Sequence, residues 1–103
     1  MNMQQMMRQA QKMQKELQKA QQEIAAMTFE GSAGGGMVTA TARGDMTIES
    51  LTINPDAVDP EDVEMLQDLI ISAVNEALRQ AEEAMDGKMN ALTSGLGLSG
   101  FGF

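Results

Sequence analysis

GSAGGGMVTATARGDMTIESLTINP, residues 31–55, decides the fold, because helical periodicity stops there and a period of two takes over. Val38, Ala40 and Ala42 alternate with Thr39, Thr41 and Arg43, one set for each face of a strand. Gly44-Asp45 reads as a tight hairpin turn into a second strand over 46–53. That strand slips phase. Met46 and Ile48 fall on one face and Leu51 and Ile53 on the other, which calls for a bulge near Glu49-Ser50 or for two partly buried faces. Residues 28–33, with Phe29 near the start, read as a further, weaker strand.

Upstream, Met3, Met6, Ala10, Met13, Leu17, Ala20, Ile24 and Met27 keep a 3-4 spacing. This heptad pattern predicts a helix over 2–27, roughly 39 Å long at 1.5 Å per residue, that docks on another helix. A narrow apolar stripe on so long a helix needs a partner. The chain's own second helix and a second copy of the chain are the alternatives, and the length of the seam favours the second copy. The expected dimer interface is Met6, Ala10, Met13, Leu17, Ala20 and Ile24.

Downstream, Asn54-Pro55-Asp56 is a turn. Asp59 then reads as an N-cap, with Pro60 at the first helical position and Glu61 and Asp62 in the first turn. Val63, Leu66, Leu69, Ile70, Ala73, Val74, Ala77, Ala81 and Ala84 mark a broad apolar face on a second long helix reaching about Met89. Residues 96–103 form a Gly-rich stretch expected as a flexible tail. The order is helix, strands, helix: an α+β chain of one domain over 1–95.

Charge is segregated along the chain. Residues 1–20 hold Arg8, Lys12, Lys15, Lys19 and one acid, Glu16. Residues 21–103 hold three basic groups and 14 acids, which brings the net charge to -8. At about 100° per residue the four early cations fall within a wedge of about 60°, opposite the apolar seam. Solvated helix faces usually mix signs, because i,i+4 Glu–Lys pairs support the helix. A single-sign stripe is the footprint expected for nucleic-acid phosphates, and screening beyond about 8–10 Å keeps its local field positive on an acidic protein. Gln4, Gln11 and Gln22 flank the stripe and are read as solvated positions.

Other motifs carry less. The glycine run at 31–36 has no Gly-Lys-Ser/Thr after it and leads into a strand, so it is a turn and not a phosphate loop. Arg43-Gly44-Asp45 is explained by the hairpin. Asp56, Asp59, Glu61, Asp62 and Glu64 lack the spaced loop of a calcium site and suit capping. There is no Cys and no His, so disulfides, thiolate chemistry and imidazole bases are excluded, and no catalytic constellation is present. No cofactor, metal or membrane partner is expected. No apolar signal segment or run of 18 apolar residues occurs.

QAQKMQKELQKAQQEIA at 9–25, GSAGGGMVTATARGD at 31–45, LTINP at 51–55 and EMLQDLIISAVNEALRQAEE at 64–83 together resemble the YbaB/EbfC family of bacterial nucleoid-associated proteins. The resemblance spans about residues 6–95. It implies an α-β-β-β-α protomer with a three-stranded antiparallel sheet, in an intertwined homodimer that binds DNA in the cytoplasm and nucleoid without enzymatic activity. It further implies DNA contacts by Arg8, Lys12, Lys15 and Lys19, with Arg79 on the second helix as a further candidate. The competing reading is a dimeric helical adaptor or chaperone-like module whose Met-rich helix binds protein.

Overall fold

The structure is a computed structural model that describes residues 2–95. Its order is α1 (Met3–Ala25), β1 (Thr28–Ala33), β2 (Val38–Arg43), β3 (Ile48–Ile53), a 3-10 turn (Pro55–Ala57) and α2 (Val63–Gly95). This is the α-β-β-β-α order expected. The segment 96–103, expected as a flexible tail, lies outside the described residues.

The sheet is antiparallel in the order β1-β2-β3. Gly34, Gly35 and Gly36 link β1 to β2 with φ values of +65°, +66° and +92°, a backbone that only glycine adopts without strain. The β2–β3 link is wider than a Gly-Asp turn. The Arg43 N–H donates to the Thr47 carbonyl, the Met46 N–H donates to the Arg43 carbonyl, and Met46 carries the positive φ of 68°. The Thr47 N–H and hydroxyl both donate to the Asp45 carboxylate, which holds Asp45 below the usual carboxylate range. Gly44 has a different duty. A side chain there would collide with the carbonyl of Ile24, so the glycine lets the end of α1 rest on the hairpin, where the Gly44 N–H donates to Met27 at 3.0 Å.

The phase slip in the third strand is a bulge. Thr41 pairs with Ser50 and Ala42 with Ile48, which leaves Glu49 as the extra residue. Ile48, Leu51 and Ile53 thereby sit opposite Ala42, Ala40 and Val38, all on one face. On that face Val38, Ala40 and Ala42 meet Ala73 and Ala77 of α2 in the buried core, with Leu66, Leu69, Ile70, Val74 and Leu78 around them. Small residues on both sides let helix and sheet approach closely.

Gly31 abuts the backbone of Ala73 and Ala77, and Gly34 meets Leu69. Therefore α2 runs antiparallel to β1. Since α1 leads into β1, the two helices leave the sheet at the same end and run side by side, joined by the Lys88–Glu23 ion pair at 3.5 Å. The protein is elongated, at 71 × 25 × 16 Å.

The helix ends depart from expectation by a few residues. Asn2 is the cap of α1, its side chain accepting from the Gln5 N–H at 2.8 Å. The cap of α2 is Asp62 and not Asp59: Asp62 accepts from the Met65 N–H, while Asp59 accepts from the Glu61 N–H in the turn before it. Val63, expected in the core, is 51% exposed. Within α2, Gly87 faces open space. Gly87→Ala should stabilise the fold by about 0.5–1 kcal/mol, because alanine loses less entropy in a helix. A thermal melt is expected to rise by about 4 °C.

Candidate nucleic-acid interface

Arg8, Lys12, Lys15 and Lys19 are all exposed along α1. The buried side of the helix is marked by Ala20 and Ile24, at 3% and 2% exposure. By helical geometry the stripe lies on the far side from these two. It spans about 16 Å, the axial rise of about five phosphates on one strand of duplex DNA.

Among the described residues, the remaining Lys and Arg side chains each have a carboxylate partner. Arg43 pairs with Glu49 at 3.6 Å across the hairpin, and Lys88 pairs with Glu23. Arg79 is clamped by two acids of its own helix. Its Nη2 lies 2.6 Å from Glu76 Oε1, its Nη1 lies 2.6 Å from Glu83 Oε1, and Nε donates to Glu76 Oε2 at 3.1 Å. The hydrogen bonds from Arg79 and then Gln80 lower the pKa of Glu76, and those to Glu76 and Glu83 raise that of Arg79. The cluster of Arg79, Glu76 and Glu83 carries a net negative charge. Arg79 thus stands on a different helix from the stripe and is already ion-paired. The acids at its i-3 and i+4 positions are the signal in the sequence that shows this. Among the described residues, the four α1 cations are the basic side chains without an ion pair.

The apolar seam of α1 divides in two. Ala20 and Ile24 are buried inside the protomer, whereas Leu17 and Met13 are half-buried and Met6 and Ala10 are exposed. A second apolar surface was not evident from periodicity. α2 covers β1 and β2 and leaves β3 open, so Ile48 and Leu51 remain 40% and 41% exposed on the helix side. Met46 borders them at 46%. On α2, Val63 and Ile71 are 51% and 56% exposed, while Val74 and Leu78 are half-buried against the core. The bulge at Glu49 is the feature of the sequence that could have placed Ile48 and Leu51 together.

Among the described residues, no group of three or more His, Cys, Asp or Glu side chains is placed to hold a metal, and no helix is long and apolar enough to cross a membrane. What the geometry offers is a row of free cations on a projecting helix.

Comparison with known proteins agrees with that picture. The chain is 57% identical over 99 residues to a nucleoid-associated protein of Desulforamulus reducens, covering 96% of this chain and 94% of the relative. It is 52% identical over 96 residues to a nucleoid-associated protein of Lactococcus lactis subsp. cremoris, covering 93% and 97%. The crystal structure of an uncharacterized protein from Helicobacter pylori superposes with a TM-score of 0.73 at 25% identity, over 93% of this chain and 98% of that one. Residues 1–96 match the YbaB/EbfC DNA-binding family as a whole, and the chain belongs to that family.

Proposed function

We infer that the protein is nucleoid-associated and grips duplex DNA as a homodimer, mainly through phosphate contacts, contributing to nucleoid organisation and gene regulation. One observation carries the reading: the described cations outside the α1 stripe are ion-paired, and Arg8, Lys12, Lys15 and Lys19 are not. Unpaired cations in a row release counterions when they meet phosphates, which drives binding without reading sequence. The names of the relatives support the same function.

Two copies bring eight stripe cations, of which about half reach phosphates at once. With about four contacts, log K should fall against log salt with a slope near -3.6, at about -0.9 per contact. A gel shift on random-sequence duplex at two salt concentrations measures it. Absence of binding at low salt overturns the reading and leaves the helical adaptor in its place.

Self-association is assigned to the open face of β3, where Ile48 and Leu51 are exposed, and to the exposed Ile71 of α2. The α1 seam of Met6, Ala10, Met13 and Leu17 is the second surface. Sedimentation should give about twice 11.1 kDa. Leu51→Asp should yield a folded monomer, since a desolvated unpaired charge costs several kcal/mol. A dimer that survives Leu51→Asp and dissociates with Leu17→Asp transfers the interface to α1.

A further inference from the structure

The first turns of α1 carry a group of side chains that neither the core nor the basic stripe uses. Met3, Met6 and Met7 are 78%, 58% and 58% exposed. Their backbone is fixed in helical geometry by the Asn2 cap, which holds the N–H groups of Gln5 and Met6. Positions i, i+3 and i+4 are neighbours on a helix surface, with Cβ atoms about 5–6 Å apart for each pair involving Met3. Three unbranched thioether side chains at that spacing can close on one point above the helix.

We propose that Met3, Met6 and Met7 form a three-thioether site for a soft monovalent cation, Cu(I). Thioether sulfur is a soft, neutral ligand, which suits Cu(I) and gives Mg²⁺ or Ca²⁺ neither charge nor oxygen. The first acid of α1 is Glu16, more than two helical turns away, so the helix itself brings no carboxylate to the ion. A thioether has no proton to lose, so uptake at this site is independent of pH between 5 and 7, unlike uptake by His, Cys or carboxylate ligands. The site lies roughly 160° around the helix from the basic stripe, which sets it apart from the phosphate contacts.

The test uses the full chain with ¹³C-methyl-labelled methionine and Ag(I) as a redox-inert probe, in chloride-free buffer. Of the 11 methionine methyl signals, those of Met3, Met6 and Met7 should shift and saturate at one equivalent of Ag(I) per chain, at pH 5 as at pH 7. Anaerobic Cu(I) should reproduce the pattern and Mg²⁺ should leave it untouched. The variant Met3→Leu/Met6→Leu/Met7→Leu keeps the apolar surface and the helix propensity and removes only sulfur. It should lose the saturable uptake with unchanged circular dichroism. Shifts spread evenly over all methionines, or uptake by the triple-Leu variant equal to the parent's, would overturn the site.

Discussion

Gly31→Ala should destabilise the protein by about 3 kcal/mol, the upper end of what overpacking a close-packed interior costs. The strand backbone at Gly31 is ordinary, so the loss is one of space alone. A Cβ there meets the backbone nitrogen of Ala77 and the backbone oxygen of Ala73, with the Glu76 Cβ at 2.9 Å. Backbone atoms of a helix cannot rotate aside as a long side chain can. The clash is therefore relieved only by lifting α2 off β1, which opens the core formed by Val38, Ala40, Ala42, Ala73 and Ala77. For a domain of this size the melting temperature should drop by about 12 °C or more. Truncating Ala73 or Ala77 to glycine should not restore it, because the atoms in the way are not side-chain atoms. Gly35→Ala separates crowding from backbone strain. That site has open space but a φ of +66°, and its loss should stay near 1–2 kcal/mol. A Gly31→Ala protein melting within about 2 °C of the parent would mean that α2 does not rest on β1.

The element order was legible because the two periods differ so sharply. Thr39 and Thr41 interleave with Val38, Ala40 and Ala42, and no helix accommodates that alternation. The bulge was legible for the same reason, since Ile48 and Leu51 break phase by one residue. What the pattern does not encode is which strand a helix covers. Periodicity assigns Ile48, Leu51 and Ile53 to a face but is blind to the lateral position of α2. That position follows from Gly31 admitting the helix backbone over β1, and β3 is left open as a result.

The capping error at α2 has a local cause. Asp59-Pro60 and Asp62-Val63 both satisfy the rule that a short polar side chain precedes the first helical turn. The Asp59 side chain instead caps a single turn through the Glu61 N–H, and the helix begins three residues later. In the candidate interface, the α1 stripe was visible as a spacing, whereas its freedom from ion pairs depended on where the acids lie in space. Glu23 and Glu49 meet Lys88 and Arg43 only through tertiary structure. The absence of His and Cys pointed away from catalysis, in line with membership of a non-enzymatic DNA-binding family.

Lys12→Gln/Lys15→Gln should leave the fold intact and cripple DNA binding. Glutamine matches lysine in helix propensity, and both positions are exposed with no ion pair to break, so circular dichroism and melting temperature should be unchanged. The two lysines form the middle of the stripe, so about half the phosphate contacts go with them. The salt slope should fall from about -3.6 to about -1.8, at about 0.9 per contact. Extrapolated from 1 M salt, where the electrostatic drive vanishes, that difference amounts to about 60-fold weaker binding at 0.1 M. The loss should be equal on every duplex tested, because phosphate contacts carry no sequence information. Arg79→Gln is the matched control. Its guanidinium is already held by Glu76 and Glu83, so removing it should leave the slope at the parent's value. If the double lysine variant binds as the parent does while Arg79→Gln flattens the slope, the interface lies on α2 and the reading of α1 fails.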